Sequence, residues 1–222
     1  TEKNFKKLKF PDKSGVYFFL KEKEIIYVGK ATSLRNRVKS YFRKDLIETR
    51  GPLLVDMVFK ADRIKYQMTD SALEAIILEA NLIKKYQPKY NTKEKSDKSF
   101  NYVCITKEKL PRVIVVRGQK LKNTEKTFGP YTNGSQLKEA IKIVRKIFPF
   151  LDDKNKNYIE FYRQINLAPD LNDRKLYLQN IRNIKLFFSG KKKQILINLK
   201  KEMNGYSKLY EFEKAGEIRR QI

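Results

Sequence analysis

An α+β fold is predicted by three features of the sequence. Residues 15–20 and 25–30 are short apolar runs around the polar turn Lys21-Glu22-Lys23-Glu24, the pattern of a β-hairpin. Residues 61–68 alternate again, with Ile64, Tyr66 and Met68 on one side, and read as a third strand. Between and after these runs the apolar spacing becomes helical, most clearly up to about residue 86.

The totals narrow the function. With 222 residues and 41% hydrophobic content the chain can bury one large core or two small ones. Fifty Lys+Arg against 25 Asp+Glu give a formal charge of +25, which favours a polyanionic partner through counterion release. No apolar run reaches the roughly 18–20 residues of a membrane span, and no hydrophobic leader follows the basic start. A cytoplasmic protein without a membrane partner is the expectation. The single cysteine, Cys104, excludes internal disulfides and an all-cysteine metal cluster. Histidine is absent, so a general base must be a carboxylate, a tyrosine, a lysine or a metal-bound hydroxide. The chain starts at Thr1 and stops at Ile222 inside a helical pattern, and so reads as part of a longer protein.

Residues 1–14 form a basic lead-in that closes with the turn Pro11-Asp12-Lys13-Ser14. In the hairpin that follows, each strand carries a tyrosine, Tyr17 and Tyr27. Paired strands hold two phenols in fixed register, as a loop does not. Gly15 opens the first strand, and the second runs into Gly29-Lys30, read as a sharp turn carrying a cation. Two readings stand for the phenols: packed core tyrosines, or groups set for chemistry. Residues 33–43 are helical, with Leu34, Val38, Tyr41 and Phe42 on one side and Arg35, Arg37, Lys39 and Arg43 on the others. Arg37 and Tyr41 are neighbours four residues apart. The basic residues are either a solvated face or contacts to a polyanion, helped by the helix N-terminus beside Lys30.

Gly51-Pro52 breaks the chain before a short amphipathic helix over 53–59. After the third strand, Thr69-Asp70-Ser71-Ala72-Leu73-Glu74 opens the long helix, whose stripe is Leu73, Ile76, Ile77, Ala80 and Ile83. Ser71 and Glu74 have capping-box spacing, so Glu74 is either a cap or a metal ligand; Glu79 is the other carboxylate at the middle of this helix. Pro88 ends it, and Asn91 follows as a loop cap or a site residue. Residues 92–101 are a lysine-rich connector. A small β element spans 102–106 and 113–117, Phe128-Gly129-Pro130-Tyr131-Thr132 is a turn, and residues 135–148 form an amphipathic helix. Residues 149–172 are weakly patterned, and 176–188 are helical up to Gly190. Lys191-Lys192-Lys193 is followed by two helical stripes, Leu196, Leu199, Met203, Tyr206 and Leu209, Phe212, Ala215, Ile218. They suggest an antiparallel helical hairpin that packs on its own domain or on a partner. There is no P-loop, dinucleotide fingerprint, zinc pattern or internal repeat.

Gly15-Val16-Tyr17 and Tyr27-Val28-Gly29 resemble the signature of the GIY-YIG nucleases. The wider run Tyr27-Val28-Gly29-Lys30-Ala31-x-x-Leu34-Arg35-x-Arg37-Val38-x-Ser40-Tyr41-Phe42, with Thr69-Asp70-Ser71-x-x-Glu74-Ala75-x-x-Leu78-Glu79-x-Asn81-Leu82-Ile83-Lys84-Lys85-Tyr86-x-Pro88-x-Tyr90-Asn91, is similar to the amino-terminal half of the UvrC family of bacterial nucleotide excision repair. Asp97-Lys98-Ser99-x-x-Tyr102, Leu110-Pro111-Arg112 and Phe128-Gly129-Pro130-Tyr131 continue the match. Leu209-Tyr210-Glu211-Phe212-Glu213-Lys214-Ala215-x-x-Ile218-Arg219 resembles the UVR motif that docks on UvrB.

The resemblance implies a GIY-YIG domain over residues 1–95, a small antiparallel three-stranded sheet flanked by helices. It further implies a β/α extension over 96–150, a helical region over 151–193 and a UVR hairpin over 194–222. The implied activity is metal-dependent hydrolysis of a DNA phosphodiester 3′ of a lesion, on damaged double-stranded DNA together with UvrB. The site residues it implies are Tyr17, Tyr27, Lys30, Arg37, Tyr41, Glu74 and Asn91, with Gly15 and Gly29 as structural turns. Glu74 would hold one Mg²⁺ or Mn²⁺, and Tyr27 would be the general base. Lys30, Arg35, Arg37, Lys39 and Arg43 would meet DNA, while Leu209, Phe212, Glu213, Ala215, Ile218 and Arg219 would meet UvrB. The family carries four cysteines before the UVR motif; here none follows Phe148-Pro149, and Glu160 and Asp170 stand at two of those places, so no iron–sulfur cluster is expected. The second nuclease domain and the helix–hairpin–helix domains of the family are not expected within these 222 residues, so the 5′ incision is not expected of this stretch by itself. Two further readings are a short stand-alone 3′-incision nuclease and a non-catalytic adaptor binding DNA or UvrB.

Overall fold

The computed structural model describes residues 9–43, 45–92, 100–118, 123–152 and 156–222. Most of the basic lead-in, most of the lysine-rich connector and residues 153–155 of the weakly patterned region lie outside the described residues. The chain forms two compact units. One comprises Thr1–Tyr102, Arg117–Gln119 and Gly129–Leu137, the other Val103–Val116, Lys120–Phe128 and Lys138–Ile222.

The first unit is built on the hairpin. Strands β1 (Gly15–Lys21) and β2 (Glu24–Ala31) pair antiparallel across a turn at Glu22-Lys23. Helix α1 (Leu34–Lys39) then gives way to a 3₁₀ turn over Ser40–Phe42, so the expected helix over 33–43 is one regular piece and one tight one. The Ser33 hydroxyl caps α1 by accepting from the Asn36 amide. The short α2 (Leu46–Arg50) was not legible in the sequence. Helix α3 (Pro52–Lys60) starts on proline, whose missing N–H costs a first turn nothing. Strand β3 (Arg63–Met68) pairs antiparallel with β1, giving the order β2-β1-β3. This is the three-stranded antiparallel sheet expected of the fold. Of the predicted stripe on β3 only Ile64 is buried, because β3 is an edge strand; Tyr66 and Met68 are exposed.

The central position of β1 explains its composition. Val16, Tyr17, Phe19 and Leu20 are all buried, because both faces of a middle strand are covered. Tyr17 and Phe19 face a core with Leu34, Val38, Tyr41 and Met57, while Val16 packs with Val28, Ala75 and Ile83 of the long helix α4 (Ala72–Tyr86). Helix α4 ends at Gln87, which takes the left-handed conformation ahead of Pro88, and α5 (Lys89–Thr92) follows as a single turn.

A second three-stranded sheet runs β5-β4-β6, from β4 (Asn101–Thr106), β5 (Val113–Arg117) and β6 (Thr124–Tyr131). The predicted turn at Phe128-Gly129-Pro130-Tyr131 is instead the end of β6, with a cis Gly129–Pro130 bond. Helices α6 (Gly134–Ile147), α7 (Lys156–Gln164) and α8 (Arg174–Phe188) follow. In the second unit Arg145 is 3% exposed, and its guanidinium is held on several sides. It lies 4.0 Å from the Phe150 ring centroid and 3.8 Å from that of Tyr162, donates to the Phe150 carbonyl and pairs with Asp152. Helices α9 (Lys192–Lys208) and α10 (Phe212–Gln221) close the chain as the expected hairpin, burying Ile195, Leu199, Ala215 and Ile218. Among the described residues no helix is long and apolar enough to cross a membrane.

Candidate active site

A cavity of about 740 Å³ in the first unit is lined by Tyr17, Tyr27, Lys30, Arg37, Glu79 and Asn91, among others. Strand register sets the phenols. Tyr17 pairs with Gly29 and Phe19 with Tyr27, so Tyr17 and Tyr27 are diagonal rather than opposite, with ring centroids 6.2 Å apart. Gly29 is within β2 and is not a turn, because the strand continues to Ala31. Its need is steric: a Cβ there would meet the Tyr17 Oη at 2.3 Å. Gly15 likewise opens β1 rather than a turn, and a Cβ there would meet the Gln67 carbonyl oxygen at 2.4 Å.

The hydroxyls form a chain. Arg37 donates from Nε to Tyr17 Oη at 3.2 Å, Tyr17 and Tyr41 share a bond of 2.8 Å, and Tyr41 makes a long contact of 3.5 Å to Tyr27. If the one proton of Tyr41 goes to Tyr27, Tyr17 donates to Tyr41. The Tyr27 oxygen is then an acceptor, and its own proton is left for the cavity. Burial raises the Tyr17 phenol well above its ordinary value, with Tyr41 adding and Arg37 opposing. Burial also raises Tyr27, helped by Tyr17, Tyr41 and the Glu79 carboxylate. Neither neighbouring cation is aimed at Tyr27: Arg37 donates to Tyr17, and Lys30 to Glu79.

Glu79 is the carboxylate of the cavity. It is 5% exposed, and it accepts at Oε1 from the Lys30 amide at 3.1 Å and at Oε2 from Lys30 Nζ at 2.7 Å. Ala75, Glu79 and Ile83 are spaced by four along α4 and are all buried, so they share a row against the sheet. An acid inside an otherwise apolar row was the available sequence signal. Glu74, expected as the metal ligand, does not line the cavity. Its amide donates to Ser71 Oγ at 3.1 Å, and its Oε2 accepts from the Asp70 amide at 3.1 Å. That is capping-box geometry, with the acceptor bond shifted to Asp70.

Asn91 is 8% exposed, and its side chain serves the backbone of β2. Oδ1 accepts from the Val28 amide and Nδ2 donates to the Val28 carbonyl, both at 2.8 Å. Of the residues expected on DNA, Lys30 and Arg37 line the cavity, whereas Arg35, Lys39 and Arg43 are exposed and outside its lining. Arg35 sits 3.8 Å from Asp12. Arg50 of α2 does line the cavity, with its guanidinium 5.2 Å from the Tyr41 ring centroid. In the second unit, Ala215 and Ile218 are spent between the two terminal helices, while Leu209, Phe212, Glu213 and Arg219 stay exposed.

The donor set suits a hard cation that keeps most of its water. Among the described residues no group of three or more His, Cys, Asp or Glu side chains is placed to hold a metal. The cavity offers one buried carboxylate, already matched to an ammonium, together with neutral oxygens. One of these, Gln136 Oε1, is buried without a hydrogen-bond partner. Mg²⁺ is bound in this way, through one or two carboxylates and several waters.

A protein-family model described as the UvrC-like GIY-YIG domain matches residues 13–92. UvrABC system protein C of Moorella thermoacetica is 37% identical over 225 residues, covering 96% of this chain and 36% of that protein. The same protein of Methanosphaera stadtmanae is 40% identical over 225 residues, covering 97% of this chain and 37% of its own length. The chain thus spans a little over a third of these relatives. The GIY-YIG endonuclease domain of UvrC from Thermotoga maritima, solved with its catalytic magnesium, is 41% identical over 41% of this chain and 99% of its own, with a TM-score of 0.37.

Proposed function

Because the chain belongs to the UvrC family, whose GIY-YIG domain it carries over residues 13–92, we propose that it is a metal-dependent endonuclease of nucleotide excision repair. It hydrolyses a DNA phosphodiester 3′ of a lesion, acting with UvrB. The observation that carries this reading is the buried carboxylate of Glu79, paired with Lys30 in one cavity with the Tyr27 phenol.

Glu79 is the proposed ligand of one Mg²⁺ or Mn²⁺, in place of Glu74, whose carboxylate is engaged at the helix cap. When bound, the ion supplies positive charge at the scissile phosphate and its attacking water. Lys30, displaced from Glu79, holds a phosphate oxygen, and Arg37 reaches the same wall of the cavity from α1. Tyr27 first gives its own phenol proton to solvent and, as the phenolate, takes the proton of the attacking water. Burial, Tyr17, Tyr41 and the Glu79 carboxylate all oppose that first loss, and offsetting the charge of Glu79 removes one of them. Tyr17 and Tyr41 orient Tyr27 through the hydroxyl chain, and Asn91 positions the strand that carries it. Lys39 and Arg43 meet the flanking duplex, as does Arg35. The exposed Leu209, Phe212 and Arg219 of the terminal hairpin meet UvrB.

The test is incision of a 3′-end-labelled lesion duplex with Mg²⁺ and UvrB. A cut on the 3′ side that is lost in Glu79→Ala is expected. Binding without any cut would favour an adaptor.

A further inference from the structure

The strongest feature outside the matched domain lies in residues 129–137, the end of β6 and the start of α6, which belong to the same compact unit as the hairpin. Asn133 caps α6 by accepting from the Gln136 amide at 3.0 Å. That cap fixes the first turn of the helix against the cavity, so Thr132, Asn133 and Gln136 form part of its lining. Thr132 Oγ1 accepts from Lys30 Nζ at 3.0 Å and donates to Glu79 Oε2 at 3.1 Å. One hydroxyl thus bridges both members of the ion pair, using its donor and an acceptor lone pair.

We propose that Thr132 is a positioning residue of the nuclease site, which prepares the Lys30–Glu79 pair to admit the divalent cation. The proposal rests on Glu79 being the metal ligand. For a cation to reach Glu79 Oε2, the Lys30 ammonium must leave it. A partly buried ammonium that leaves one acceptor needs another, and Thr132 Oγ1 already stands within bonding distance. The same hydroxyl, by donating to Oε2, fixes the carboxylate rotamer. Replacing the hydroxyl by a methyl group leaves Glu79 as the sole acceptor of that ammonium on this wall, and the cation then competes against a stronger pair. The segment that supplies Thr132 lies beyond the residues of the matched GIY-YIG domain, so this chain completes its site from a later stretch of sequence.

Binding of Mn²⁺ to the whole chain, followed by the loss of the free-ion electron paramagnetic resonance signal, tests this without any cleavage. Thr132→Val is expected to weaken Mn²⁺ binding about tenfold, the scale of one hydrogen bond to a charged group. Thr132→Ser, which keeps the hydroxyl, is expected to bind within about twofold of the native chain. In a Lys30→Met background, Thr132→Val is expected to have a clearly smaller effect, because no ammonium is left to receive and only the bond to Glu79 Oε2 is lost. An undiminished effect in that background would assign Thr132 to packing and overturn the proposal. Native-like binding by Thr132→Val, alongside abolished binding by Glu79→Ala, overturns the positioning role and leaves the metal ligand standing. No binding by the native chain overturns both.

Discussion

Lys30 Nζ lies 2.7 Å from Glu79 Oε2, across 49 residues of sequence, with the carboxylate buried and the ammonium partly buried in the cavity of the Tyr27 phenol. A buried pair of this kind contributes little net stability, because the cost of taking both charges out of water nearly cancels their attraction. Its effect is on chemistry: it sets one carboxylate and one ammonium side by side in the cavity that holds the Tyr27 phenol.

The first prediction separates the two carboxylates of α4. Glu79→Ala is expected to reduce Mg²⁺-dependent incision by more than about a hundredfold, the scale of losing a charge-stabilising group. Glu74→Ala is expected to retain incision and to lose about 1 kcal/mol of stability through the cap. Incision rates and denaturant midpoints measured on both variants check this. Full activity in Glu79→Ala would return the ligand role to Glu74.

A second prediction concerns Gly29. Its missing Cβ is the space taken by the Tyr17 hydroxyl, at 2.3 Å. Gly29→Ala is expected to destabilise the domain by about 1–3 kcal/mol as the ring or strand shifts. It should also slow incision through the displaced hydroxyl chain. Urea unfolding together with single-turnover rates would show both effects.

Asn91 gives a third. Asn91→Ala leaves the Val28 amide and carbonyl without their side-chain partner, at about 1–3 kcal/mol for each buried group left unpaired. Incision should fall with stability, because Val28 lies between Tyr27 and Gly29. A variant of native stability and lost activity would instead make the Asn91 amide a direct participant in the reaction.

The phenols predict a pH dependence. Tyr17 and Tyr27 both titrate above the ordinary value near 10 in the folded state. Below about pH 10 they are neutral in both states, and their contribution to stability is complete. Above it the unfolded chain loses these protons while the fold retains them, so stability falls as pH rises. Tyr17→Phe is expected to reduce this alkaline loss and to leave the phenolate absorbance that grows near pH 10 unchanged. A smaller absorbance step in Tyr17→Phe would refute the raised value.

Arg145 gives the last. Held between Phe150 and Tyr162 and paired with Asp152, it orders the stretch just after α6. Arg145→Ala removes the guanidinium from Asp152, from the Phe150 carbonyl and from between the two rings, at an expected cost of about 1–3 kcal/mol. Melting of the variant followed by circular dichroism measures it.

Much of this protein was legible in its sequence. Alternating apolar residues fixed the hairpin, because strand period is a local property. The apolar row of α4 and the capping residues Ser71 and Glu74 fixed that helix for the same reason. The tyrosines, Lys30 and Arg37 were legible as candidates by residue type and by resemblance. What the sequence left open was direction. Glu74 and Glu79 are both acids on one helix, five residues apart and so on different faces. Only the docking of α4 on β1 and β2 decided that Glu79 meets Lys30 and that Glu74 stays at the cap. Gly29 read as a turn until the register put Tyr17 over it. Thr132 carried no signal at all, because its partners are 102 and 53 residues away. Local pattern determined the elements and supplied the chemical groups. Long-range packing, through burial of the apolar faces of β1 and α4, decided which of those groups share a cavity.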